Sequence, residues 1–244
     1  MPMSMITPNW SAPKNVKACM TTRKGGVSLA PYGSLNLGDH VQDDPESVAK
    51  NRALVSESLP AEPIWLAQVH STRVVAATAS NTGVEADASY TDQPNVVSCV
   101  MTADCLPVLF CDEAGTQVAA AHAGWRGLLD GILEATLAKF SQPGFVIIWF
   151  GAAIGPDAFE VGAEVYEAFV NKHEASRQFF KPQGSGKFLA DIYGLARFRL
   201  ELVGVRSGSI FGGEFCTVSD ESRFFSFRRD GQTGRMATCI WLES

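Results

Sequence analysis

The sequence predicts an α+β fold: a single domain with mixed β-sheets flanked by helices. Three observations carry this. Short apolar strand-like runs and amphipathic helical stripes are interleaved without the strict alternation of a doubly wound sheet. The 244 residues suit one large domain, and no linker, low-complexity tract or fixed-period repeat divides them, so the domain runs over residues 1–244. The composition is globular: 46% hydrophobic and 19% charged, with 15 Phe and 5 Trp to fill a core.

Val16–Thr22 reads as a first strand. Asp44 and Pro45 then open a helix, as N-cap and first helical residue, and Val48, Arg52, Val55 and Leu59 follow at helical spacing. Ile64–Val69, Arg73–Ala77, Val96–Met101, Leu106–Cys111 and Gln117–His122 read as strands. Leu128, Leu129, Ile132, Leu133, Leu137 and Phe140 make the apolar stripe of one helix. Phe145–Phe150 is a buried strand by composition. Val161, Val165 and Phe169 share a helix face, and Phe188–Val203 is a further amphipathic helix. Ile210–Gly212 and Met236–Leu242 close the chain as strands. Arg23–Gly38 and Gln183–Lys187 read as loops.

A net charge of −6 leaves no broad basic face and argues against nucleic-acid or anionic-membrane binding. No segment approaches the ~20 apolar residues of a membrane span. The N-terminus lacks the basic-then-apolar pattern of a secretory signal. Six Cys without a Cys-x-x-Cys pair suggest free thiols in a reduced, cytoplasmic protein. Nothing suggests a coiled coil or dimer arm, so a monomer is expected. No Gly-x-Gly-x-x-Gly or Walker-type loop follows a strand, so a nucleotide cofactor is not indicated.

The most informative segment is Thr102–Gly127. If Asp112–Gly115 form a four-residue hairpin loop, Cys105 lies directly opposite His122; a five-residue loop displaces the pair by one place. Opposed Cβ atoms are only ~4.5–5.5 Å apart. A thiol beside an imidazole can be a nucleophile with its base. It can also be part of a metal site, with a third ligand from elsewhere. The chain has four His, and His70 ends the apolar run Trp65–His70, where a side chain projects from a sheet. The plain structural alternative is a buried Cys with two ordinary hydrogen-bonded His. After His122, Gly124 allows a tight strand-to-helix connection. The helix start and Arg126 could hold an anion such as phosphate, though from this feature alone a capped helix with a surface Arg is the better explanation. Asn36, in the loop Asn36–His40, reads as a turn residue or a ligand contact. Asp87 could lie near the site. Phe224–Gly231 combines aromatics and arginines that could contact a flat ring or an anion, or be core Phe with solvated Arg.

These residues resemble a known family. The strings NLGDH (36–40), WLAQVH (65–70), EADA (85–88), TADCLPVLF (102–110), AHAGWRGL (121–128), AIGP (153–156), FEVG (159–162) and FFSFRRDGQTGRM (224–236) look like the laccase-domain or YfiH-like family, also called multicopper polyphenol oxidoreductases. The likeness covers about residues 17–242. It implies a mixed-sheet α+β fold distantly similar to cysteine-hydrolase toxins. It implies a metal, usually zinc, held by His70, Cys105 and His122. It also implies purine nucleoside phosphorolysis: adenosine, inosine and methylthioadenosine split by phosphate, with adenosine deamination as a companion activity. Ser71, Ala152 and Phe227 stand where the family often has Gly, Pro and Tyr.

Four functions follow as expectations. The first is a metal-dependent purine nucleoside phosphorylase with His70, Cys105 and His122 on the metal and phosphate near Arg126. Asp87 and Asp104 are its proton-shuttle candidates. The second is a copper oxidase of phenols, which four His cannot furnish with several coppers, although one His/His/Cys site tolerates a copper. The third is a thiol hydrolase with Cys105 as nucleophile and His122 as base. The fourth is a metal-stabilised binding module without turnover.

Overall fold

Strands buried on both faces organise the molecule, which the computed structural model describes over residues 3–244. Strands β1 (Met5–Ile6) and β2 (Val16–Thr21) precede helix α1 (Pro45–Ser56). Then come β3 (Val74–Ala76), β4 (Ala88–Thr91), β5 (Ser98–Thr102), β6 (Leu106–Asp112) and β7 (Val118–Ala123), followed by α2 (Trp125–Asp130) and α3 (Ile132–Leu137). The chain continues through β8 (Val146–Phe150), β9 (Glu160–Gly162), α4 (Ala163–Lys172), β10 (Phe180–Gly184), β11 (Lys187–Ala190) and α5 (Ile192–Leu202). It ends with β12 (Ile210–Gly212), α6 (Phe227–Asp230) and β13 (Met236–Leu242).

The expected mixed sheets form. A six-stranded sheet runs β12-β8-β6-β7-β4-β3, with parallel pairs at both edges and antiparallel pairs between. A four-stranded antiparallel sheet runs β1-β2-β13-β5, and a small one runs β10-β11-β9. Side chains that alternate along β6 build two cores at once. Val108 and Phe110 pack with Leu128, Ile132, Leu133, Leu195 and Leu200 of the helices. Leu109 and Cys111 pack with Met20, Val100 and Ile240 of the four-stranded sheet. That sheet buries its far face against Leu35, Leu37 and Val55. The layers are thus helix, sheet, sheet, helix.

The elements differ from expectation where a local side chain or a glycine overrides hydrophobic pattern. Ile64–Val69 is not a strand; it is extended and touches its neighbours through bridges at Ile64 and Ala67. The Gln68 amide takes the place of a strand there, bonding both the N–H and the C=O of Met101 at 2.7 Å. The single helix expected over 128–140 is two short ones, because Gly131 adopts φ 110° and ends α2. Phe188–Val203 divides into β11 and α5, since the Asp191 side chain caps the helix at Gly194 N. Val161 lies on β9 rather than on α4. The Asp44–Pro45 start of α1 is as expected, with Asp44 accepting from Ser47 N at 3.0 Å.

Antiparallel pairing collects the chemistry at one end. The ends of β5 and β7 and the starts of β4, β6 and β13 lie together, through the pairs Ala88–Ala121, Leu106–Ala123 and Met236–Thr102. No helix among the described residues is long and apolar enough to cross a membrane. Phe110, fully buried between sheet and helices, is the anchor of the larger core. Phe110→Ala is expected to cost about 3–5 kcal/mol in urea unfolding, whereas Leu29→Ala, at 82% exposure, should change stability by less than about 0.5 kcal/mol.

Candidate metal centre and active-site cavity

Asp87 has 0% exposure and sits just before β4. Its Oδ1 accepts from His122 Nδ1 at 2.8 Å and from the His70 backbone N–H at 3.0 Å. Its Oδ2 accepts from the Ser71 N–H at 2.6 Å, the Ser71 hydroxyl at 2.7 Å and the Val69 N–H at 3.3 Å. Three successive N–H groups curl round one carboxylate, an anion-holding nest that requires the left-handed φ of 61° at His70. Burial opposes ionisation of Asp87, but hydrogen bonds from His122 and Ser71 overcome it and hold the carboxyl below its ordinary value. Asp87 therefore fixes the His70 turn and the His122 ring together. Its bond to His122 Nδ1 leaves Nε2 as the outward nitrogen, as in carboxylate–histidine–metal arrangements.

Cys105 reaches the same place by a different register from the one expected. Six residues, 112–117, separate the last paired residues Cys111 and Val118, because Asp112 Oδ1 accepts from both Thr116 N and Gln117 N and widens the turn. Pro107, not Cys105, faces His122. Cys105 lies two residues earlier and so meets His122 diagonally. The proximity survives the shift. Cys105 Sγ is 3.7 Å from His70 Nε2, and one donor atom from each of His70, Cys105 and His122 falls within 4.8 Å of the others. The two imidazoles meet edge to face with centroids 4.7 Å apart.

Burial penalises charge on Cys105 and on His122, but their mutual attraction and the Asp87 hydrogen bond outweigh it. The thiol is drawn down to about 6 and the imidazole raised to about 9. A neutral solution thus gives a thiolate beside an imidazolium. Two imidazoles and a thiolate also suit zinc, with a fourth position for water or substrate. Gly124 passes directly against the group: a Cβ there would stand 2.6 Å from His70 Cδ2 and 3.1 Å from Cys105 Sγ. Its φ of −66° is ordinary, so close approach, not turn geometry, calls for glycine.

The group opens into a cavity of about 460 Å³. Of the residues expected there, Asp104 and Arg126 line it, and Asp87 lies behind it. Asp104, at φ 85°, accepts from the Thr217 hydroxyl at 2.5 Å and from Arg228 N at 2.6 Å. Arg126 is exposed, its guanidinium 4.3 Å from the Trp125 ring centroid, on a helix of six residues. Asn36 does not line the cavity. It is buried, and its Oδ1 accepts from the backbone of Gly38 and of Arg235, both at 2.9 Å. Reading single residues missed Gln68 and Arg235, which line the cavity, while Phe227 and Arg228 of the Phe224–Gly231 run line it as one of the two readings of that run allowed. The signal was present in the motif strings: all except EADA send a side chain into this one space.

Residues 17–243 match the family described as multi-copper polyphenol oxidoreductase laccase. The chain belongs to this laccase-like family, whose members include the YfiH and DUF152 proteins. Purine nucleoside phosphorylase PA4543 of Pseudomonas aeruginosa is 54% identical over 240 residues, covering 98% of each chain. Purine nucleoside phosphorylase YfiH of Escherichia coli is 53% identical over 242 residues, again with 98% of each covered. The solved structure of Neisseria meningitidis protein NMB0706 superimposes with a TM-score of 0.94 at 52% identity, over 98% of this chain and 99% of that one. YlmD from Geobacillus stearothermophilus gives 0.86 at 30% identity, over 95% and 93%.

Two outcomes follow from the geometry. Asp87→Asn is expected to lower metal affinity about 10–100-fold in a chelator-competition titration, because it loosens two donors at once. In metal-free protein, iodoacetamide labelling of Cys105 followed by peptide mass spectrometry should rise with pH to a midpoint near 6. An ordinary thiol gives a midpoint near 8.5, and such a value here would show that the thiolate–imidazolium pair does not form.

Proposed function

We propose that this chain is a metal-dependent purine nucleoside phosphorylase. It takes adenosine, inosine or methylthioadenosine with phosphate to the free base and the sugar 1-phosphate, and deaminates adenosine as a companion activity. The observation that carries this reading is a three-donor group at the wall of a ligand-sized cavity. The chain bearing it is more than half identical, end to end, to relatives named for that activity.

His70, Cys105 and His122 would hold one zinc, with copper as the alternative. When bound, the ion supplies a Lewis acid that can polarise an oxygen or activate a water. The rest falls to the chain's own residues. Asp87 keeps the His122 tautomer and the His70 turn in place. Ile154, Phe159 and Ile192 give the cavity an apolar wall suited to a flat base and limit the water that would compete with phosphate. Phosphorolysis forms a bond from phosphate oxygen to the anomeric carbon and breaks the carbon–nitrogen bond. The leaving electron pair goes to the base, which takes a proton. Asp87 and Asp104 spend both carboxylate oxygens on protein donors, which favours positioning over proton transfer for each.

The metal-free Cys105–His122 pair favours a second reading, a thiol hydrolase, because a thiolate beside an imidazolium is already an activated nucleophile. A multi-copper oxidase finds less support: among the described residues a single group of three donors has metal-ligand grouping.

The test is base release from inosine and adenosine by metal-replete protein, with and without phosphate. Phosphate-dependent release is expected in wild type. Cys105→Ser should lose zinc and at least about 100-fold of the rate, as when a catalytic ligand group is removed. Release that ignores phosphate, or an active metal-free Cys105→Ser, contradicts the reading.

A further inference from the structure

The cavity contains an arginine whose charge has no partner. Arg235 lies just before β13, half-buried, with its Cγ packed where a Cβ on Gly38 would come within 2.8 Å. Its Nη1 donates to the carbonyls of Thr233 and Gly234, each at 3.0 Å. Among the described residues it has no carboxylate at ion-pair distance, and its Nε and Nη2 have no protein acceptor. Arg199, Arg52 and Arg229 are paired with Glu134, Asp39 and Asp230, whereas Arg23 and Arg197, half-buried and bonded to backbone carbonyls, lie outside the cavity. A charge withdrawn from water is normally paired, because the unpaired state is costly. The negative groups whose field reaches Arg235 are chiefly Cys105 and Asp104, and the Asp104 oxygens are already engaged. The unspent half of a planar donor fork therefore belongs to a cavity that also contains the metal-ligating thiol.

His40 stands beside it. Both residues line the central cavity and the adjoining surface depression, so they flank a way in from solvent. Partial burial and the Arg235 charge hold the His40 imidazole below its ordinary value, against the Asp39 carboxylate 3.5 Å from its Nδ1. Arg126 is a poorer anion anchor. It is exposed, stacked on Trp125 and screened by water.

We infer that Arg235, with His40 beside it, forms the subsite that receives the phosphate dianion, and that Arg126 is secondary to it. This rests on the phosphorylase reading for its biological meaning, but binding tests it separately. Inorganic phosphate is titrated calorimetrically into wild type, R235Q, R235K, H40A and R126Q, each with metal content and melting temperature measured. Phosphate and inosine KM values are determined alongside. The expected result is a loss of phosphate affinity of at least about tenfold in R235Q, with the inosine KM changed less than the phosphate KM. R235K should recover part of the affinity, since it restores the charge and not the fork. R126Q should lose less than R235Q.

Retained phosphate affinity in a folded, metal-loaded R235Q overturns the inference. So does an equal or larger loss in R126Q, or a wild type that does not bind phosphate. If R235Q does not fold, R235K and H40A decide: wild-type affinity in both overturns it. A wild type that binds phosphate through Arg235 but releases no base sinks the phosphorylase reading and leaves the subsite standing. Phosphate-dependent turnover that R235Q leaves unchanged does the reverse.

Discussion

One buried carboxylate holds the site together. Asp87 receives three consecutive backbone N–H groups, a hydroxyl and an imidazole N–H, and these come from two segments that share no sheet ladder. A buried Asp without such donors would be neutral or destabilising. With them it is ionised, and it orients two of the three donors of the metal group. Ser71 contributes both its N–H and its hydroxyl to this carboxylate.

The fold makes this possible by stacking two sheets and bringing strand ends together. Alternation along β6 sends Val108 and Phe110 to the helices and Leu109 and Cys111 to the second sheet. Both faces are then committed, and the polar groups of the site gather at one end. His122 near the end of β7, Cys105 before β6, Asp87 before β4 and Arg235 before β13 all fall at that end. Gly124 lets the chain leave β7 without filling the space the donors need. The resulting cavity combines an apolar wall with unpaired positive charge, a combination that suits a flat heterocycle and an oxyanion together.

Much of this was legible in the sequence for specific reasons. Four His in the whole chain and one hairpin narrowed the donors to His70, Cys105 and His122, and the motif strings pointed the same way. The register was not legible, because the Asp112 side chain, rather than the loop length preferred by its residues, set the turn. Apolar spacing could not divide Phe188–Val203 into strand and helix; the Asp191 cap did. It also could not foresee that Gln68 would pair with Met101 in place of a strand. Asn36 looked like a ligand contact, but it holds the backbone of Gly38 and Arg235. That Arg235 lacks a partner is a fact of three-dimensional arrangement, and no local pattern announces it.

The central claim is that Asp87 assembles one mononuclear centre from two imidazoles and a thiolate. A zinc K-edge absorption spectrum of the purified protein, with metal stoichiometry, tests it most directly. The account predicts one metal per chain, with one sulfur at about 2.3 Å and two imidazole nitrogens at about 2.0–2.1 Å. Several metals per chain, or a first shell without sulfur, would contradict it.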